Sequence, residues 1–356
     1  MNNSYDTGRL ILNQDLDSAA GLAIDEALCD SVGEKKSPPT LHLYNYVPSV
    51  IVGRFQNVAA SLRLDRCEAR NIQVNRRISG GGTVFMTPDQ LALALVLPDD
   101  FPGLPTSING AFQFLAKSFA SALEQFGLKA EFMGKNDLTV NGKKIAGLAI
   151  SRDHDNVTFF HTSLLLDFDI EVMLDILNLP TQRMLDRGIS CFGQRMTTIR
   201  EETGEDIQLP DLRDAVHRAI QNELGIPFPE ESLADFEQER VKQLRKTHYD
   251  SDEWIYGVRS PKRRMTFAEG RTPGGLIQLH LCLSGGAIES VMITGDYFSK
   301  TRDVVKLESI LKWTSAKRDA IEEKLNQHRA EEFIHRVDLQ AISDLIQQAA
   351  DRIRSQ

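Results

Sequence analysis

The sequence predicts an α+β fold with mixed sheets, divided into two domains. Three observations lead there. At 356 residues the chain exceeds the usual span of one hydrophobic core. β-prone runs and amphipathic helical runs are interspersed without the regular βαβ rhythm of a doubly wound sheet. Near Asp250 a charged, helix-prone connector, FEQERVKQLRKTHYDSD, gives way to a hairpin-like segment followed by helices. The domains are therefore placed at residues 1–250 and 251–356.

Taken in order, DSAAGLAIDEALCD opens with Asp17 or Ser18 as a candidate N-cap and carries Leu22, Ala23, Ala27 and Leu28 at helical spacing. TLHLYNY and SVIVGR, on either side of Pro48, read as two strands joined by a turn. Residues 110–126 form a helix whose Phe112, Leu115, Phe119, Leu123 and Phe126 make one core stripe, with Gly127 at its C-cap. VTFFHTSLLLDFD is a buried strand by composition, and residues 171–178 and 211–224 are helical by apolar spacing. In the second domain, GGLIQLHLCLSGGAIESVMITGDYF reads as a hairpin turning at Gly285-Gly286, and two amphipathic helices follow from about 305 to 352.

DLTVNGKKIAG carries the clearest local signal, because Asn141-Gly142 between β-prone runs is a preferred pair for a type I′ hairpin turn. With those two residues as the loop, Val140 faces Lys143, Thr139 faces Lys144, Leu138 faces Ile145 and Asp137 faces Ala146. Leu138 and Ile145 then point into a core. Asp137, Thr139, Lys144 and Ala146 share the other face, which makes Asp137 and Lys144 diagonal neighbours.

Composition narrows the function. Hydrophobic residues at 41% and charged residues at 26% are the mixture of a soluble globular protein. A formal charge of -9 argues against nucleic acid as a partner. The N-terminus lacks a basic segment followed by an apolar one, and no run of about 18 apolar residues occurs, so a cytoplasmic protein with no membrane association is expected. Cys29, Cys67, Cys191 and Cys282 are scattered without CxxC or histidine at ligand spacing, and read as buried thiols.

Two segments carry chemistry. RRISGGGTVF, residues 76–85, puts two arginines and a serine ahead of three glycines. It suits a phosphate or carboxylate, with backbone N–H groups approaching the anion and Arg76 or Arg77 supplying charge; taken alone it reads sooner as a glycine-rich turn beside surface arginines. It is neither a Walker A loop nor a GxGxxG fingerprint. On the hairpin, Lys144 can bridge a carboxyl oxygen and an α-phosphate while Asp137 holds a magnesium ion. The plainer alternative is an exposed cross-strand pair.

In combination and order these segments resemble the lipoate-protein ligase A family, whose catalytic domain shares its fold with biotin ligases and octanoyltransferases. LAIDEAL at 22–28, IVGRFQN at 51–57, RRISGGGTVF at 76–85, NDLTVNGKKIAG at 136–147, HTSLL at 161–165 and GISCFGQRMTTIRE carry the likeness. WIYGVRSP and GAIESVMITGDYF are similar to the family's accessory domain. The resemblance implies ATP-dependent activation of lipoate to lipoyl-AMP, then transfer to a lysine of an acceptor lipoyl domain. Acceptors would be 2-oxoacid dehydrogenase E2 subunits or glycine cleavage H-type proteins, and the enzyme a monomer. It implies that Lys144 is catalytic and touches both ATP and lipoate. Arg77, Gly82, Thr83, Val84 and Phe85 would contact ATP. Arg77, Ser79, Gly80, Gly81 and His161 would contact lipoate, and Asp137 and Asn136 would sit by Mg2+.

The sequence departs from the family pattern at Met86-Thr87 and at Thr162, which leaves the choice between lipoate and octanoate open. The rival readings are an octanoyltransferase working through a cysteine thioester, and a non-catalytic lipoyl-binding protein. Counting back from the shared motifs to the transferase cysteines reaches Lys129, Ala130 and Thr158, none of them cysteine. The C-terminal domain is expected to act as a lid, and Arg259, Lys262, Arg263 and Arg264 to offer a basic patch to an acidic acceptor.

Overall fold

The computed structural model describes residues 5–134, 136–178, 195–259, 261 and 265–354. The chain divides into two compact units: residues 1–51, 61–75 and 84–251 in the first, and 52–60, 76–83 and 252–356 in the second. Nothing in the sequence marks the two short segments 52–60 and 76–83 as belonging with the C-terminal portion.

The first unit is built on seven strands: β1 Arg9–Leu12, β2 Thr40–Tyr44, β6 Gln90–Pro98, β7 Ala130–Met133, β8 Asp137–Val140, β9 Lys143–Ser151 and β10 Val157–Leu165. They form one mixed sheet in the order β1-β2-β6-β10-β9-β8-β7. β1 and β2 are parallel and the other pairs antiparallel. A three-stranded sheet is made by β3 Ser49–Val52, β4 Gln73–Arg76 and β5 Val84–Met86, in the order β4-β3-β5. β2 and β3, expected as neighbours across a turn, thus enter different sheets.

Alternation along the strands separates two unlike faces of the large sheet. In β6 the run LALAL sends Leu91, Leu93 and Leu95 one way and Ala92 and Ala94 the other. On the large-residue face Leu95 pairs with Leu41 and Phe160, and Phe160 with Ile150. Helix α2, Ile108–Glu124, covers this face, with Phe114 and Phe160 rings 6.2 Å apart. Four residues of its expected stripe, Phe112, Leu115, Phe119 and Leu123, are fully buried, but the helix ends at Glu124, so Phe126 lies beyond it and Gln125 rather than Gly127 is the C-cap; Ser107 caps the start by accepting from the Gly110 N–H. Helix α1, Ser18–Gly33, lies on the small-residue face. Asp17 is its cap, and its Asp25 accepts from the Tyr44 hydroxyl at 2.7 Å and pairs with His42 Nδ1 at 2.8 Å. Helices α3, Leu209–Leu224, and α4, Asp235–Leu244, also belong to this unit, with shorter helices at Leu64–Ala69, Ile170–Ile176 and Ile199–Thr203.

The second unit pairs a three-stranded antiparallel sheet with three helices. The strands are β11 Thr266–Thr272, β12 Gly275–Ser284 and β13 Ala287–Gly295, and Gly285 and Gly286 take positive φ at the expected turn. The two helices expected at about 305–352 are three: α5 Thr301–Leu311, α6 Arg318–Gln327 and α7 Leu339–Arg354. The chain breaks between them at Trp313, Arg329 and Arg336, all with positive φ. None of these is a residue type that advertises a break, so the sequence did not mark them.

Candidate active site

The β8–β9 hairpin folds as its turn dictates. Asn141 and Gly142 take φ of 51° and 76°, and Val140 pairs with Lys143 and Thr139 with Lys144. Beyond that the expected register is corrected: Leu138 pairs with Ala146 and Asp137 with Gly147, leaving Ile145 as the extra residue of a bulge. The shift falls where β9 changes its second neighbour. At Lys144 the outward backbone groups bond the 195–197 segment, the N–H donating to Arg195 O at 2.7 Å and the carbonyl accepting from Thr197 N–H at 2.9 Å; from Ala146 onward they serve β10. Ile145 and Ala146 are both buried, so Ala146 leaves the face that the regular register gave it.

The bulge has a chemical consequence. Three residues apart on a regular strand, Lys144 and Gly147 would face opposite ways; here both face the small-residue side with Asp137. Lys144 Nζ meets Asp137 Oδ1 at 2.6 Å, with the two side chains 36% and 41% exposed. A Cβ on Gly147 would lie 3.0 Å from Lys144 Nζ and 3.2 Å from Cε, so the glycine is the bed on which the lysine lies. The neighbouring Lys143 is engaged elsewhere: a hydrogen bond to Glu201 and that carboxylate's charge raise its pKa, and it clips the hairpin to the 199–203 helix. Asn136 is fixed to β9 through its side chain, whose Nδ2 donates to Leu148 O at 2.6 Å, and its carbonyl, which accepts from Leu148 N–H at 2.8 Å.

Rows of the sheet continue this face across the strands. Asp137, Gly147, Ser163, Ala92 and Tyr44 form one cross-strand row, and Ala149, His161, Ala94 and His42 the next. Toward β2 these rows are buried beneath helix α1, with Ala94 and His42 fully covered, whereas Gly147, Ser163 and His161, the last stacked on Phe159 at 5.0 Å, stay half-buried. Ala92, Ala94, Ala149 and Ser163 were not singled out from the sequence, although the Leu/Ala alternation of β6 carried the signal. Val84 and Phe85 lie on β5 of the same unit, Val84 exposed and Phe85 buried against Phe168.

Residues 76–83 belong to the second unit, together with 52–60. Arg76 is fully buried and donates to the carbonyls of Gly53, Arg54, Gln56, Trp254, Ile255 and Val258. Burial, then the charges of Arg54, Arg259 and Arg77, push its pKa down to about 9. It is scaffold. Trp254 returns a bond from Nε1 to Arg76 O at 2.9 Å. Arg77, also buried, donates through Nη2 to Gly80 O and Gly82 O at 2.7 and 2.8 Å, and through Nε to Ser79 Oγ at 3.1 Å. The Gly81 N–H is committed to Tyr297 O. Gly80 is demanded by packing, since its Cβ would fall 2.3 Å from Tyr297 O, and Gly81 by a φ of +94°. Around Gly82 there is open space, with only Asp296 Cβ within 4 Å of an added Cβ, and Thr83 donates to Gln56 Oε1.

Among the described residues no group of three or more His, Cys, Asp or Glu side chains is disposed to hold a metal. No described helix is long and apolar enough to cross a membrane. Cys29 and Cys67 are buried, and burial raises both thiols, with nearby carboxylates adding to the effect. Cys282 is half-buried on β12, contrary to expectation, and donates to Glu289. Cys191, Lys262, Arg263 and Arg264 lie outside the described residues; Arg259 is paired with Glu308.

The mixed sheet with its accompanying small α+β unit is similar in fold to solved lipoate-protein ligases. P. falciparum LipL1, solved in complex with lipoate, matches 96% of this chain and 99% of its own with a TM-score of 0.74 at 16% identity. The bi-partite lipoate protein ligase from Thermoplasma acidophilum matches 73% of this chain and 100% of its own with a TM-score of 0.64 at 24% identity. These likenesses define the fold. The chain belongs to the lipoyl protein ligase A/B family: residues 17–221 match the family's catalytic domain, and residues 263–346 match the bacterial lipoate protein ligase C-terminus. It is 29% identical to lipoate-protein ligase LplJ of Bacillus subtilis (strain 168), over 94% of this chain and 98% of that protein. It is 27% identical to octanoyltransferase LipM of Brevibacillus brevis, over 69% of this chain and 97% of that protein.

Proposed function

We propose that this chain is an ATP-dependent lipoate-protein ligase, and the observation that carries the reading is Lys144 lying over Gly147 against Asp137 on the hairpin. The lipoate carboxylate attacks the α-phosphorus of ATP, forming the acyl–phosphate bond as the bond to pyrophosphate breaks. The acceptor lysine amine then attacks the acyl carbon, the amide forms, AMP leaves and the amine loses a proton. Both steps place negative charge on oxygens beside the anhydride. A fixed ammonium stabilises that charge without reorganising, so Lys144 serves as the catalytic residue. Asp137 orients Lys144 and keeps it on this face of the sheet.

The residues suit a magnesium ion held chiefly by nucleotide phosphates, since the hairpin offers the Asp137 carboxylate and the Asn136 amide oxygen rather than a cage. Such an ion would neutralise phosphate charge. The acyl chain takes the half-buried part of this face, with Gly147 and Ser163 beneath it and His161 as wall. Assignment of Arg77, Ser79, Gly80, Gly81, Gly82, Thr83, Val84 and Phe85 to nucleotide or lipoate rests on the family resemblance; Gly82 and Thr83 are the part of the loop with room for a ligand. The acceptor is a lipoyl domain of an E2 subunit or an H-type protein, and the setting is the ATP-supplied cytoplasm.

The rival is an octanoyltransferase, favoured by the likeness to LipM. Against it, LplJ accounts for nearly the whole chain, while LipM uses nearly its whole length on about two thirds. Neither buried cysteine is suited to nucleophilic attack. Incubating the protein with ATP and lipoate without acceptor decides between them. Lipoyl-AMP and pyrophosphate are expected; an acyl-enzyme thioester formed from an octanoyl carrier protein, with no adenylate, would overturn the ligase reading.

A further inference from the structure

Helix α5 buries Val304, Leu307 and Leu311 and turns Arg302, Val305, Lys306 and Ser309 outward, at i, i+3, i+4 and i+7. Lys312 and Trp313 continue the exposed run past its end. Among the described large hydrophobic residues, Trp313 at 63% and Val305 at 53% are the most exposed, and both lie in this one stretch of chain, Val305 on the helix and Trp313 just past its end. Trp313 is held in place rather than loose. Its N–H donates to Ile288 O at 2.6 Å, the next carbonyl accepts from Ile288 N–H at 2.9 Å, and its φ is +64°, a region that L side chains rarely adopt. A large aromatic fixed in that conformation with its ring in solvent is arranged for contact, not for packing. The charge leans the same way: the exposed face carries Arg302, Lys306 and Lys312, of which Arg302 has a loose ion pair with half-buried Asp303 at 4.0 Å, while Glu308 is paired with Arg259. This is unusual on a chain with 50 acidic and 41 basic residues.

We infer that the α5–Trp313 face docks an acidic surface of the acceptor domain, with Trp313 and Val305 as the apolar anchor and the three cations as its rim. The inference rests on the reading that the lipoyl group passes to a lysine of a folded protein. Charge complementarity selects the occupant, since a basic face on an otherwise acidic molecule recruits an acidic partner and repels a basic one. A rigidly held tryptophan adds affinity at little entropic cost.

Two variants of the full chain test it, Trp313→Gly and the triple Arg302→Glu/Lys306→Glu/Lys312→Glu, with an apo-lipoyl domain of an E2 subunit as probe. Docking is read by titration calorimetry without ATP, and activation separately by lipoate-dependent exchange between ATP and pyrophosphate. Both variants are expected to weaken docking by about tenfold or more. The triple variant should also flatten its salt dependence. Exchange should stay at the wild-type level. Glycine relieves the positive φ, so Trp313→Gly should keep or raise Tm, an outcome a packing role would reverse. Unchanged affinity in both variants overturns the inference. So does a wild-type dimer, or binding to anionic phospholipid vesicles, that Trp313→Gly abolishes while leaving acceptor affinity intact. Absent exchange in wild type with docking preserved would instead count against the adenylation reading and leave this face standing.

Discussion

Gly147→Ala separates the position of Lys144 from the stability of the fold. The added methyl would sit 3.0 Å from Lys144 Nζ and 3.2 Å from Cε, tighter than ordinary van der Waals contact. The obstacle is the far end of a flexible side chain, so the lysine gives way rather than the sheet. Gly147 has no positive φ, and alanine there recovers about 0.4–1 kcal/mol of chain entropy. Against that stands the ion pair to Asp137, more than a third exposed on both sides and worth at most about 1 kcal/mol. Stability should therefore change by no more than about 1 kcal/mol in either direction. Catalysis is less forgiving. Displacing the ammonium by a fraction of an ångström to an ångström should cost about 10- to 100-fold in activation, or about 1.4–2.7 kcal/mol of barrier. The assay is lipoate-dependent ATP–pyrophosphate exchange beside a thermal melt. Wild-type exchange in a folded Gly147→Ala protein would refute the role given to the Lys144 pose.

Replacing all four cysteines by serine or alanine should leave activation and transfer intact in a folded protein, because the buried Cys29 and Cys67 are raised away from reactivity and no cysteine stands at the positions counted for a transferase nucleophile; loss of transfer with retained Tm would contradict this. Arg76→Met keeps bulk but strips the donors from six carbonyls, and should destabilise the second unit by at least about 3 kcal/mol in denaturant titration. A wild-type midpoint would remove Arg76 as its scaffold. Burial alone would raise the Glu26 carboxyl, but the close approach of His248 at 3.6 Å, a hydrogen bond from the Tyr249 hydroxyl and the neighbouring His154 hold it below its ordinary 4.5. A depressed folded value stabilises above the unfolded pKa, and that stability disappears as pH falls through the folded one. Glu26→Gln should thus be less stable at neutral pH and lose less between neutral and acid; parallel acid limbs in the two proteins would show that Glu26 is not the group involved.

Much of the site was legible because local chemistry fixes it. Asn141-Gly142 dictated the hairpin turn, and from it the meeting of Asp137 and Lys144. The alternation of Leu91, Leu93 and Leu95 with Ala92 and Ala94 held the small-residue face in plain view, although its meaning needs the neighbouring strands. What stayed hidden depends on partners distant in sequence. The bulge at Ile145 accompanies the pairing of Lys144 with residues 195–197, which nothing in NGKKIAG announces. Arg76 and Arg77 looked alike in RRISGGG, yet Arg76 is taken by carbonyls near residue 255 and Arg77 curls onto its own loop. The helix breaks at Trp313, Arg329 and Arg336 use positive φ at residues where glycine or asparagine would be expected.

Lys144, posed against Asp137, is the group assigned to stabilise the activation of lipoate by ATP. Lipoate-dependent ATP–pyrophosphate exchange, compared between wild type and Lys144→Ala, probes that assignment without the acceptor intervening. Wild type should exchange, and Lys144→Ala should fall by about a hundredfold or more. Its melting temperature should stay near that of wild type, since the ion pair it loses is half-exposed. No exchange in wild type, or near-normal exchange in a folded Lys144→Ala protein, would be incompatible with this role for the lysine.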